Sequence, residues 1–286
     1  MTEQEIHALS LKIAYVIIIL AIIGAITVIK FFFNLITKLF KKPSEQKYPK
    51  KETPKYSQSL YVDKINNEYL NSSYYLSTHL PLNTVTNDKG KYGEYLIFKK
   101  LQEYEKYGSR FLFNCYLPKE NNKTTEIDII LLTLNGIFVF ESKNYSGWIY
   151  GNEKQEIWTQ TLPAGNKIHK EHFYNPIMQN ESHIKTLKNL IGDTFPIYSV
   201  IVFSDNCKLK NITASNPMTE IVCFGYLYSI VKHLSNQQPN SLTQETLIYI
   251  YNKLYPYTQV PEEVKRKHAE DIQAKKTKIR NSGAYI

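Results

Sequence analysis

The chain has 286 residues, 13% of them aromatic and 21% charged, with a net charge of +9. Its three cysteines, Cys115, Cys207 and Cys223, are odd in number, far apart and without a CxxC pair, which leaves no basis for a disulfide framework or a zinc ribbon and points to reduced thiols. The charge is uneven: residues 30–55 hold a net +6, residues 262–286 a net +3 and residues 1–29 a net −1, so residues 56–261 are left at +1 and global charge makes no case for a nucleic-acid binder.

From Ile13 to Ile29 the chain runs IAYVIIILAIIGAITVI without a charge. As a helix this run is about 25 Å long, close to the hydrocarbon thickness of a bilayer. The start MTEQEIH lacks the basic residues of a cleavable signal and the run ends in Phe31, Phe32 and Phe33, so the pattern predicts an uncleaved single-pass anchor, with residues 13–40 meeting the membrane. Only Lys12 precedes the span, whereas Lys30, Lys38, Lys41, Lys42 and four further lysines follow it, which places the C-terminal bulk in the cytoplasm. Those lysines suit anionic headgroups at about 1 kcal/mol each, an account of the basic excess that does not involve nucleic acid. The expected organisation is an anchor with its basic stretch at 1–42, a polar tether with some local order at 43–87, a globular domain at 88–258 and a charged tail, helical or disordered, at 259–286.

Within the globular part, KYGEYLIFKKLQEYEKYG has helical apolar spacing closed by Gly108. Strands are predicted at RFLFNCYL, EIDIILLTL and GIFVFESKN, with a further hairpin in GWIYGNEKQEIWTQTL. NPIMQNESHIKTLKNLIG predicts a helix that opens near a proline and closes at Gly192. Buried strands at IYSVIVFSD and EIVCFG and a last helix at SLTQETLIYIYNKLY follow, and no internal repeat is visible. The pattern predicts an α/β fold with a mixed central sheet flanked by helices.

Residues 125–147 place Asp128, Glu141 and Lys143 among residues that should be buried. A type I′ turn at Asn135-Gly136 would pair Leu134 with Ile137, Ile130 with Glu141 and Asp128 with Lys143. The three charges would then share a face, with Asp128 and Glu141 diagonal neighbours about 7–8 Å apart between Cα atoms. Two buried carboxylates facing one another call for positive charge between them, and oxygen donors favour Mg²⁺ or Mn²⁺ over zinc. The alternative is a simple Asp128–Lys143 ion pair on an exposed face with Glu141 solvated at the strand end.

The ordered set of Gly93-Glu94 on a helix, Asp128 on a strand, Glu141-Ser142-Lys143 ending a strand and Gln179 on a helix resembles the PD-(D/E)XK nuclease superfamily. More narrowly, KYGEYLIFKKL, the 126–160 hairpins and NPIMQNESHIKTL resemble the nuclease-related domain (NERD) family over residues 88–205. Ile127 stands where the superfamily pattern has proline. The resemblance implies a restriction-endonuclease-like core and hydrolysis of phosphodiester bonds, with Asp128, Glu141 and the Ser142 carbonyl holding Mg²⁺ (or Mn²⁺). It also implies that Lys143 orients water or offsets developing charge, that Glu94 reaches the metal through water, and that Gln179 bonds the metal-bound water or a phosphate oxygen. Nucleic acid would be the partner, DNA ahead of RNA. A simple structural role competes in each case: Glu94 as an exposed helix glutamate, Gln179 as a polar residue of the first helical turn, Trp148 and Trp158 as hairpin packing ahead of base-stacking platforms, His169 and His172 as surface residues of a loop. His183, four positions after Gln179, shares its face. The competing functional expectation is a catalytically inactive nuclease-fold module for binding or signalling at the membrane.

Overall fold

The computed structural model of the chain describes residues 64–282, apart from 166 and 211, together with Lys30. The apolar run at 13–29, and with it the predicted membrane span, lies outside the described residues. Among those described, no helix is long and apolar enough to cross a membrane.

Residues 64–70 are helical, followed by α1 (Ser73–Thr78), α2 (Leu82–Asn87) and α3 (Lys89–Leu101). Then come β1 (Arg110–Pro118), β2 (Thr124–Thr133), β3 (Gly136–Lys143), β4 (Gly147–Tyr150), β5 (Ile157–Ala164), β6 (Lys167–Tyr174) and α4 (Pro176–Ile191). The chain continues through β7 (Ile197–Phe203), β8 (Cys207–Lys210), β9 (Thr219–Cys223), α5 (Leu227–Ser235), α6 (Gln244–Leu254) and α7 (Glu262–Ser282). The fold is mixed α/β. A five-stranded sheet in the order β1-β2-β3-β7-β9 is antiparallel through β3 and parallel beyond it, and a four-stranded sheet runs β6-β5-β4-β8.

The larger sheet is buried on both faces, which is why β3 and β7 are near-continuous apolar runs instead of alternating ones. One face carries Phe138, Phe140, Tyr198 and Val200 against Ile97 and Phe98 of α3. The other carries Ile137, Val139 and Ile130 against Leu187 of α4 and Leu247 and Ile250 of α6. Helix α3 starts where the Asp88 side chain accepts from the amides of Gly90 and Lys91. Helix α4 starts at Asn175, whose Oδ1 accepts from the Ile177 amide at 2.9 Å, and ends at Gly192.

Three expectations need correction. The β2–β3 register pairs Thr133 with Gly136, Leu132 with Ile137 and Ile130 with Val139, so the connecting residues are Leu134 and Asn135 and the turn is not type I′. Thr133 Oγ1 accepts from the Asn135 amide and donates to the Gly136 carbonyl, while Leu134 O and Asn135 Oδ1 accept from the amides of Leu242 and Asn240. Gly136 thereby enters the strand at φ +134, where a Cβ would stand 2.8 Å from Tyr198 Cε2. A one-residue shift of the loop displaces partners by two residues, so along the paired ladder each side chain keeps its face although every partner changes. The segment holding His169 and His172, expected as a loop, is strand β6 paired along its length with β5.

The third correction concerns residues 64–87, assigned from composition to the tether. Tyr69, Tyr74 and Val85 belong to the core. Tyr74 meets Phe113 edge-on at 5.0 Å and Phe98 at 6.0 Å, and Tyr69 donates to the Leu80 carbonyl at 2.6 Å. The domain's packed part therefore includes α1 and α2. Tyr74→Ala is expected to lower unfolding free energy by about 3–5 kcal/mol, whereas Tyr107→Ala, at a side chain 73% exposed, should change it by less than about 0.5 kcal/mol. Urea unfolding followed by circular dichroism measures both.

Candidate functional site

The antiparallel pairing of β2 with β3 stops at Ile129 and Phe140, and beyond it the strands separate. The separation has a local cause in β1. Asn114 adopts a left-handed conformation at φ 50, a region that Asn tolerates better than most residues. On either side of it the alternation shifts by one: Phe111 and Phe113 face α3, but Leu112, Cys115 and Leu117 all face the opposite core. The partner strand follows, with Ile129 and Leu131 on the α3 side and Ile127, Ile130 and Leu132 on the other. Asp128 sits at this break. Its Oδ2 accepts from the Ser142 amide at 2.9 Å, filling by side chain the place that a ladder bond leaves.

Glu141 and Lys143, two apart on β3, meet α4. Lys143 Nζ donates to Glu141 Oε1 at 2.6 Å and to Gln179 Oε1 at 3.2 Å. His183 Nε2 lies 3.2 Å from Glu141 Oε2, a charge-distance approach without good hydrogen-bond alignment, and its Nδ1 is 2.7 Å from Thr125 Oγ1. The spacing of Gln179 and His183 on one helical face brings both to this strand end. Asn180, between them, anchors α4 to the sheet by donating to Val139 O at 3.0 Å and Ser199 Oγ at 2.9 Å.

Glu94 comes from the other layer. Gly93 lets α3 approach β3 closely, since a Cβ there would stand 2.7 Å from Ser142 Oγ and 3.2 Å from Asn144 Cβ. Glu94 Oε2 is shielded from water and has no hydrogen-bond partner. The residue lines a cleft of about 660 Å³ together with Lys91, Asn114, Tyr116, Glu126 and Arg266. A cleft of similar size beside α4 and β7 contains none of the site residues.

The electrostatics divide the three acids. Burial, then the charge of Glu126, pushes the Glu94 carboxyl up to about 8, with Lys91 acting in the opposite direction. Burial and the charges of Glu141 and Glu94 raise Asp128 well above the usual carboxylate range, against the pull of Lys143 and the Ser142 amide. Glu141 is held below its ordinary value because, although burial opposes ionisation, Lys143 and His183 outweigh it. Burial disfavours the charged form of Lys143 as well, but Glu141 more than compensates and raises it. One ion pair is thus complete, and two carboxyls remain short of positive charge.

The residues expected at the site fall into two groups that meet at the break. Glu141, Lys143 and Gln179 are in direct contact, Asp128 joins them through the Ser142 amide and Glu94 through the field of all three carboxylates. Sequence reading did not single out Asn114, Thr125, Glu126 or Asn180. Only Asn180 carried a usable signal, an amide next to Gln179 that shares the buried side of α4 with Ile177, Leu187 and Ile191. Trp158 is fully buried against Phe203 with its Nε1 donating to Asn152 O, as packing predicts, whereas Trp148 is 47% exposed.

Residues 89–204 match the nuclease-related domain family. An uncharacterized protein of Bacillus anthracis is 31% identical over 201 residues, which cover 68% of this chain and 92% of that protein. No solved structure matches. The chain belongs to the nuclease-related domain family.

Glu94 also makes a pH prediction. Its folded pKa of about 8 exceeds the ordinary 4.5, so between those values the folded state holds a proton that the unfolded state has lost. Stability then falls as pH rises across that window, by up to about 1.4 kcal/mol per pH unit for one group. Glu94→Gln, which imitates the protonated form, should flatten the decline in melting temperature between pH 5 and 8, with Asp128 sustaining the remainder. Equal slopes for both proteins would contradict the assignment.

Proposed function

We propose that this chain is a membrane-tethered, cytoplasm-facing, metal-dependent nuclease with a restriction-endonuclease-like core, hydrolysing phosphodiester bonds in nucleic acid, DNA ahead of RNA. The observation that carries this reading is that Lys143 is already paired with Glu141, while the buried Asp128 beside them stays well above the ordinary carboxylate range despite Lys143 and the Ser142 amide, so the strand end is short of positive charge. The tether rests on the apolar run at 13–29 and the lysines that follow it.

The donors suit a hard divalent ion: they are oxygens, with His183 the nearest nitrogen ligand type, and Glu94 Oε2 is a buried acceptor without a partner. Among the described residues no three His, Cys, Asp or Glu side chains form a metal-holding group. Asp128 and Glu141 would therefore hold the ion with the main-chain carbonyl of Ser142 as a further donor. Mg²⁺ or Mn²⁺ bound there supplies an acidified water and positive charge opposite the phosphate.

The chain's own residues do the rest. Lys143, fixed between Glu141 and Gln179, offers a compact cation to the negative charge that develops on the scissile phosphate. Gln179 holds that ammonium in place by accepting one of its protons. His183 and Thr125 orient the Glu141 carboxylate from the far side. Glu94, carrying its proton at neutral pH, is placed to hold a water at the wall of the cleft.

A second reading has its own support. Lys143 already neutralises Glu141 at 2.6 Å, and the packed domain is nearly neutral, as suits a nuclease-fold module that binds without hydrolysing. The two part on one experiment. The purified protein is expected to cleave DNA with Mg²⁺ or Mn²⁺, Lys143→Ala to abolish cleavage with an unchanged circular dichroism spectrum, and Asp128→Asn to weaken Mn²⁺ binding in calorimetric titration by ten-fold or more, about 1.4 kcal/mol. Metal binding without cleavage, or neither, would leave the binding module.

A further inference from the structure

The second sheet has one covered and one open face. On the covered face Ile149 and Trp158 pack with Ile177 of α4 and with Phe203 and Cys207. The open face is set by the pairing: Trp148 lies beside Lys208 and opposite Thr161, which lies opposite Lys170, and Tyr150 lies beside Lys210 and opposite Thr159, which lies opposite His172. Trp148 and Tyr150 are 47% and 38% exposed, unusual for side chains of this size on a sheet that already has a packed side. Their rings are 6.5 Å apart and inclined at 67°, each offering its own face, and Lys210 Nζ stands 4.7 Å over one face of the indole. Among the described residues of β4, β5, β6 and β8 no acid alternates onto this face. Glu156 and Glu181 lie near its margin, by Tyr174.

We propose that this open face is a platform for single-stranded nucleic acid, with unpaired bases stacking on Trp148 and Tyr150 and phosphates meeting Lys170, Lys208 and Lys210. Exposed aromatic rings beside lysines without an ion pair are the combination that binds single strands without reading their sequence. The lysines of the patch belong to the strands themselves and not to the basic stretches at 30–55 and 262–286, although α7 of the latter touches β6. The patch lies on the side of the sheet opposite Lys143, because Phe203, the β7 partner of Lys143, packs with Ile149 and Trp158 on the covered face. The β3–β7 pair of Lys143 and Phe203 and the β4–β8 pair of Gly147 and Cys207 keep the same offset, so the second sheet continues the first across residues 144–146 and 204–206. Trp148 is five residues from Lys143, a chain reach of at most about 18 Å. The platform rests on the reading of this protein as one that acts on nucleic acid, and adds which form it takes and where it is held.

The test uses full-length protein in EDTA, so that nothing is cleaved, and fluorescein-labelled oligo-dT and oligo-U of about 20 nucleotides, with a duplex of the same length and vesicles of anionic lipid as separate arms. Both single strands are expected to bind more tightly than the duplex. Trp148→Ala should weaken that binding by about ten-fold or more, and Lys208→Ala/Lys210→Ala should also lower the slope of affinity against salt by about 0.7 per lysine. Trp148 and Lys208 are exposed and Lys210 is half-buried, and melting temperatures check that the variants fold. Unchanged oligonucleotide affinity in Trp148→Ala, preference for the duplex, or loss of vesicle binding alone in the variants would overturn the platform. Cleavage by the wild type that survives unchanged affinity in Trp148→Ala would leave the nuclease standing without it. Weakened binding in Trp148→Ala beside a wild type inert with every metal would keep the platform and remove the nuclease.

Discussion

Three carboxylates and one ammonium share the end of β2 and β3, and most of the local structure follows from keeping them there. An unpaired ionised carboxylate costs several kcal/mol to bury. The chain answers with one complete pair, Lys143 on Glu141, one carboxylate turned onto a backbone amide, Asp128 on Ser142, and one that retains its proton at neutral pH, Glu94. Each answer is partial. Asp128 remains well above its ordinary range even with the Ser142 amide and Lys143 favouring its charged form. Strain of this kind has no use in a core that only needs to fold, since apolar residues of similar size would pack the same strand ends at lower cost. It is consistent with a place prepared for positive charge.

The supporting frame shows the same logic. The left-handed Asn114 breaks the alternation of β1 and β2 opposite Asp128, so the carboxylate is released from the pleat at the point where the ladder to β3 ends. Gly93 brings α3 against Ser142 and Asn144, which puts Glu94 within the field of the strand acids. Asn180 fixes α4 on Val139 and Ser199, and that fixes Gln179 and His183 on either side of it. Three elements from different layers are each tied to β3 by one short contact, so the charged groups are held by rigid helices and strands and not by loops.

Much of this frame was legible in sequence because it follows from periodicity. The strands β1, β2, β3, β7 and β9 and the helices α3, α4 and α6 are long enough for apolar spacing to declare them. The hairpin register was not, although the shared face of Glu141 and Lys143 was. Asn135-Gly136 carries a strong turn signal, but Asn240 and Leu242, more than a hundred residues later, hold Leu134 and Asn135 as the loop, and no local pattern contains that information. The helices of residues 64–87 were lost to composition: a polar, tyrosine-rich stretch has the look of a tether until Tyr69 and Tyr74 find the aromatic wall of Phe98 and Phe113. Glu94, Asp128, Glu141, Lys143 and Gln179 were legible as a set, whereas the left-handed Asn114 that makes room for Asp128 has no sequence mark beyond being an asparagine within a strand.

The continuity of the two sheets ties the charged site to the aromatic face. Ladder pairing runs from Lys143 and Phe203 to Gly147 and Cys207 at one offset, and the interval is pinned by the Ser204 amide on Lys143 O at 3.1 Å and the Gly147 amide on Asn206 O at 3.1 Å. Gly147 is needed at that crossing, because at φ +76 a Cβ would stand 2.2 Å from Thr161 O. A side chain there would push β4 from β5 and tilt Trp148 away from the strand that carries Lys143. The distance between the lysine and the open aromatic surface is therefore fixed by backbone hydrogen bonds and one glycine, and not by side-chain packing that could relax.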